Sequence, residues 1–113
     1  MAGLKSGLAN EGEAQMTQQR LPPELNKILR EEARYATGLE KGGEFGRAKL
    51  ARAAIDGVKR ALKTAALAQD KPFEEALRDA LQERRAEYRE DWNDPDGVGT
   101  STFFRALNLV DED

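Results

Sequence analysis

The segment from residue 44 to residue 68 constrains the fold of this chain more than any other part of the sequence. Apolar residues recur along it at alternating steps of three and four, which is the spacing of one helix face. They are Ala48, Ala51, Ile55, Val58, Leu62 and Ala65. A second row beside the first consists of Ala54, Gly57, Ala61 and Ala68. Because small side chains let another helix approach closely, we predict one long helix here, packed between two partners.

Proline, glycine and capping residues predict three further helices around this segment. Pro22-Pro23 suits the first turn of a helix, and Gly38, followed by Gly42-Gly43, predicts where that helix ends. Asp70-Lys71-Pro72 combines a capping residue with an early proline, so it predicts another start. The run Asn93–Gly97 has the composition of a turn before a last short helix. The expected bounds of the four helices are 23–36, 44–68, 72–92 and 102–109.

The N-terminal residues show no helical periodicity. Residues 1–15 contain three glycines and several small polar residues, which predicts a flexible arm. Residues 16–21 are compatible with one short strand. Residues 16–113 are expected to form a single domain. The predicted fold class is therefore all-α, a small bundle of three to four helices behind a flexible arm.

Composition argues against most enzyme classes. The chain of 113 residues has no cysteine and no histidine, which excludes thiol nucleophiles, Ser-His pairs and Cys/His zinc sites. No phosphate-binding Walker loop or complete EF-hand loop is present. We therefore expect no catalytic residues, no metal, no cofactor and no small-molecule substrate. No apolar run approaches the length of a membrane span, and the chain starts without a signal-like block, so we expect a cytoplasmic protein.

The net charge of −3 conceals an uneven distribution along the chain. Residues 41–71 carry eight basic and three acidic side chains, whereas residues 72–113 carry five basic and twelve acidic ones. The basic block can meet phosphate groups, or it can meet the acidic C-terminal third of the same or a second copy. The sequence leaves both possibilities open.

Residues 20–63 resemble ribbon-helix-helix DNA-binding proteins. The similarity lies in Arg20-Leu21-Pro22-Pro23-Glu24-Leu25, which looks like that family's strand-to-helix junction, and in Lys49-Leu50-Ala51-Arg52-Ala53-Ala54-Ile55-Asp56, which looks like its second helix. The resemblance implies paired strands that enter the major groove as a β-ribbon. It places Gln18 and Arg20 among the outward strand residues, where they would read bases, and Arg47 and Lys49 at phosphates. Arg52 belongs to the same basic block.

Two hypotheses for function follow. The first is a non-enzymatic helical adaptor, assembly protein or inhibitor that packs on a protein partner or on itself. Its predicted interface consists of Ile55, Val58, Leu62, Phe103, Phe104 and Leu107. The second is the repressor or antitoxin that the family resemblance implies, with the acidic C-terminal region and its Phe103-Phe104 pair binding the partner. Nucleic acid is a partner in the second hypothesis, and a membrane is a partner in neither.

Overall fold

The computed structural model describes the backbone of residues 2–111 and the side chains of residues 22–111. It contains four α-helices, α1 (Ala2–Lys41), α2 (Phe45–Leu67), α3 (Phe73–Asp91) and α4 (Thr100–Asp111). The described residues contain no strand, and residues 16–21 lie within α1. The predicted all-α bundle is confirmed. The backbone of residues 2–15 also lies within α1, while the predicted flexibility of residues 1–15 stays a prediction.

The long central helix is confirmed as α2. Its apolar seam is buried, with Ala51, Ala54, Val58 and Ala61 fully inaccessible to solvent. α2 contacts α1, α3 and α4, and it lies between α1 and α3. The small side chains of the seam let these helices approach it closely, while burying a larger residue such as Val58 contributes about 1.5–3 kcal/mol. The central position of α2 therefore follows from its two rows of small residues.

The first helix is longer at both ends than the sequence predicts. Proline was expected to set its start at residue 23, but Pro22 and Pro23 lie inside α1. Proline fixes φ near the helical value, but in a helix interior each ring removes one backbone hydrogen bond and crowds the carbonyl four residues earlier, at a cost of about 3 kcal/mol or more. At the other end the helix passes through Gly38 and buries Leu39 in a cluster with Ala48 and Val98. That burial outweighs the cost of about 1 kcal/mol for one helical glycine.

The true end of α1 is a Schellman motif. The N–H of Glu44 donates to the carbonyl of Leu39 at 2.8 Å, and the N–H of Gly43 donates to the carbonyl of Glu40 at 3.1 Å. Gly43 has φ of 81°, a conformation that favours glycine. The predicted break at Gly42-Gly43 is therefore confirmed, and it returns the chain as an antiparallel α1–α2 hairpin.

The last two helices complete the core. α3 supplies Leu77 and Leu81, and α4 supplies Phe103 and Val110, all nearly or fully buried. They join the α2 seam and the α1 residues Leu25 and Leu29 in one apolar cluster. α4 packs against α1, α2 and α3, so it folds back onto the core. In the described part of the chain no helix is both long and apolar enough to cross a bilayer.

Gly57 leaves room for the largest buried side chain. A Cβ atom at this position would lie 2.6 Å from Cζ of Phe103, whose side chain is 1% exposed. By contrast, a Cβ at Gly38 in α1 would meet nothing within 4 Å. The two helical glycines therefore make a matched pair.

We expect Gly57→Ala to lower the free energy of unfolding by about 1–3 kcal/mol relative to Gly38→Ala, because overpacking against Phe103 opposes the gain in helix propensity. Gly38→Ala should leave stability unchanged or raise it by up to about 1 kcal/mol. Urea unfolding followed by circular dichroism measures both. Equal stability of the two variants would contradict close packing at Gly57.

Candidate functional site

The predicted protein interface lies mostly inside the chain. Ile55, Val58, Phe103 and Leu107 are between 0 and 7% exposed, and Leu62 is partly buried against the same core. These side chains already pack on other helices of their own chain, so a partner could reach them only by unpacking the bundle. The predicted interface at these residues stays a prediction. Phe104 differs, because its side chain is 58% exposed on α4.

The predicted phosphate contacts do not form one site. Arg47 donates to Glu44 at 3.2 Å and lies 4.0 Å from Asp96, on the side of α2 that faces the turn before α4. Arg52 instead donates to Glu40 and Thr37 of α1. Lys49 is exposed near Arg52 in sequence and helix position. The side chains of Gln18 and Arg20 lie outside the described residues.

Two rows of cations follow the outside of the α1–α2 hairpin, and together we call them the basic face. Each row has helical steps of three and four, which places its members on one side of its helix. The α1 row lies opposite the buried Leu25 and Leu29. The basic face consists of Lys27, Arg30, Arg34 and Lys41 on α1, and of Lys49, Arg52, Lys59 and Lys63 on α2.

A hydrogen-bond network joins the two rows. Arg52 Nη2 donates to Thr37 Oγ1 at 3.4 Å and to Glu40 Oε1 at 2.6 Å. Thr37 lies between Arg34 and Lys41 in the α1 row, and Arg52 belongs to the α2 row. This network links the two rows at one point, near the tip of the hairpin.

Carboxylates at the basic face are already paired. Glu40 accepts hydrogen bonds from Arg52, and these bonds, together with its positive charge, hold the pKa of Glu40 below its usual value against the opposing effect of burial. Asp56, within the α2 row, pairs with Arg60 at 2.9 Å. Fewer of the cations than of the anions form ion pairs. Among the described residues Arg30, Lys41, Lys59 and Lys63 form no ion pair.

A second arginine forms ion pairs with α1 beside the α1 row. Arg105 of α4 donates to Glu31 at 2.6 Å and to Glu32 at 2.8 Å, which ties α4 to α1. The hydrogen bond from Arg105 is the main reason that the pKa of Glu31 is lowered, and Lys27 and Arg34 add to it. Glu31 therefore stays ionised and directed toward Arg105.

The basic block does not meet most of the acidic C-terminal third. In the described part of the chain, two ion pairs connect them, Lys71 with Asp79 at 2.7 Å and Arg47 with Asp96 at 4.0 Å. The acidic side chains of α3 occur along its outer side, and α2 separates α3 from the α1 row. Acids predominate on α3, which carries seven acidic and four basic side chains.

The turn predicted at residues 93–97 is confirmed, and it is organised by one carboxylate. Asp94 accepts hydrogen bonds from the backbone N–H groups of Val98, Gly99 and Thr100 at 2.8–3.1 Å and from the Tyr88 hydroxyl at 2.9 Å. These bonds satisfy donors at the start of α4 and attach it to the end of α3. Asp94 is a structural residue, and no described cluster of acidic residues could hold a metal ion.

Ionisation of Asp94 is coupled to this geometry. Burial raises the pKa of Asp94, but the hydrogen bonds from Tyr88, Thr100, Val98 and Gly99 outweigh it and leave the pKa below its usual value. Burial, and then the contact with the Asp94 carboxylate, raises the pKa of Tyr88. The neutral phenol therefore donates to a charged carboxylate over the whole neutral pH range.

Three of the eight cations of the basic face lie outside the basic block that the sequence predicts. Lys27, Arg30 and Arg34 lie outside the basic block of residues 41–71, in a region of net charge −1. A signal was present, because their spacing places them opposite the apolar stripe of Leu25 and Leu29. Only the hairpin brings them beside the α2 row.

Comparisons with known proteins give no family assignment. No protein-family model matches the chain, and neither a curated protein nor a solved structure is similar to it at a significant level.

We expect Asp94→Asn to lower the free energy of unfolding at pH 7 by about 1–3 kcal/mol, because the charged acceptor of several bonds is lost. A lowered folded-state pKa contributes stability above the unfolded pKa of about 3.9, and that contribution disappears as pH falls through the folded value. The difference from wild type should therefore shrink below about pH 4.

Urea unfolding between neutral and acidic pH measures this difference. Asp96→Asn is the matched control, since Asp96 lies in the same turn, is exposed and is 4.0 Å from its nearest cationic partner. A difference between Asp94→Asn and wild type that stays constant at all pH values would contradict the role of the carboxylate charge.

Proposed function

We propose that this chain is a non-enzymatic binding protein whose basic face binds the phosphate backbone of nucleic acid. The observation that carries the proposal is the two rows of four cations each on α1 and α2. The neighbouring carboxylates of Glu31, Glu40 and Asp56 are already paired with other arginines or within the rows. Lysine and arginine side chains that remain free gain by replacing counterions at phosphates. The basic face offers at least four such side chains, Arg30, Lys41, Lys59 and Lys63.

The dimensions of the basic face suit a phosphate backbone. Each row covers fourteen residue steps, from Lys27 to Lys41 and from Lys49 to Lys63, which corresponds to roughly 21 Å of helix. Phosphates follow one another at about 3.4 Å of rise per strand in duplex DNA, so one row extends beside about six of them. Long, flexible lysine and arginine side chains can adapt to that spacing.

The net negative charge of the chain does not oppose this binding. α3 packs mainly against α2 and α4, so most of its acids lie farther from the α1 row than the cations of that row lie from one another. At physiological ionic strength the Debye length is about 8 Å, and charges beyond it are largely screened. A polyanion bound to the hairpin is therefore attracted by the nearby cations more strongly than it is repelled by the more distant acids.

A protein partner is the second candidate function. Phe104 supports it, because this aromatic side chain is 58% exposed on the outside of α4. The four core residues predicted for such an interface do not support it. An adaptor that uses Phe104 would bind through α4, on a helix other than those that carry the basic face.

We expect the double variant Arg30→Gln/Lys59→Gln to bind a DNA oligonucleotide more weakly than wild type. Each lost phosphate contact should also flatten the dependence of log affinity on log salt by roughly 0.7–0.9. Fluorescence anisotropy at several salt concentrations, with both single-stranded and duplex probes, measures the two quantities. Both residues are exposed, so the fold should be unaffected.

The matched control is Arg85→Gln/Arg89→Gln, which removes the same charge from α3, outside the basic face. This control should retain wild-type affinity and salt dependence. Equal losses in the two double variants would mean that net charge, and not the basic face, governs binding. Absence of salt-sensitive binding by the wild type would overturn the proposal.

A further inference from the structure

One large apolar side chain is exposed at the tip of the hairpin. Phe45, the first residue of α2, is 68% exposed. An exposed phenylalanine does not contribute the free energy of stabilisation that burial of its ring would give. A ligand with a flat or apolar surface would gain free energy by covering Phe45.

Phe45 continues the basic face. It lies four residues before Lys49 and seven before Arg52, so the helical steps place it in the α2 row. Lys41, the last residue of α1, ends the other row at the same tip. An aromatic side chain thus stands at the end of a surface that would follow a phosphate backbone.

We propose that Phe45 is a stacking site for an unpaired nucleobase of the strand whose phosphates lie along the basic face. This inference rests on the proposed function and adds a contact to it. Aromatic side chains stack on bases irrespective of sequence, since every base has a π-face. An unpaired base is the expected partner, because a paired base must first leave the stack of the duplex.

The charge pattern favours a nucleobase over a lipid bilayer. A helix that lies in a membrane surface presents a continuous apolar stripe. Between Phe45 and the exposed Leu67 the outward positions of α2 are instead charged, as at Lys49, Arg52 and Lys59. One aromatic side chain beside cations is the pattern of a stacking contact.

The experiment compares Phe45→Ala with Phe104→Ala, a matched loss of an exposed phenylalanine outside the basic face. Anisotropy is measured on a single-stranded oligonucleotide of about 20 bases, which exceeds the length of one row, and on the same sequence as a blunt duplex. Phe45→Ala should weaken single-strand binding about fivefold or more, which is the lower end for one stacked base. It should leave the salt dependence and the duplex affinity unchanged.

Phe104→Ala should behave as wild type on both probes. A 2-aminopurine base in the single strand should change its fluorescence on binding wild type but not on binding Phe45→Ala. Wild-type single-strand affinity of Phe45→Ala would overturn the stacking proposal, while a loss in Arg30→Gln/Lys59→Gln would still support the phosphate contacts. Tighter, Phe45-dependent binding to phosphatidylserine vesicles than to the single strand would also overturn it.

Discussion

Close packing against the small-residue seam of α2 is the constraint on which the rest of the structure depends. Alanine at the contact positions allows α1 and α3 to lie directly against α2, and α4 then covers all three. At Gly57 the absence of a side chain leaves space for the ring of Phe103. The core is satisfied within one chain, so its residues are not available to a partner.

Burial of that seam decides where the charges go. A helix that packs on one side must present its other side to water, and the charged residues of α1 and α2 occupy those outer sides. The antiparallel hairpin then sets the two rows side by side, and Arg52 links them through Thr37 and Glu40. The basic face is a consequence of how the apolar faces pair.

Polar contacts fix the parts that apolar packing leaves undetermined. Asp94 holds the start of α4 against the end of α3, and Arg105 attaches α4 to Glu31 and Glu32 of α1. The interaction with Glu32 is the more sheltered of the two, since that side chain is 9% exposed. α4 is therefore tethered at its N-terminus and along its length, which keeps Phe103 in the core and Phe104 outside.

The sequence by itself determined the all-α class, the central helix, the breaks at Gly43 and Gly97, and the core residues of α2, because periodicity and turn chemistry are local properties. It misjudged the bounds of α1, and it left open whether a partner or the chain itself covers Ile55, Val58, Phe103 and Leu107. Apolar residues at helical spacing look the same whether their own chain or a partner covers them. Only the tertiary structure decided that, and only it linked Arg52 of α2 with Thr37 and Glu40 of α1. The reason is that helix pairing, unlike helix formation, depends on contacts between distant residues.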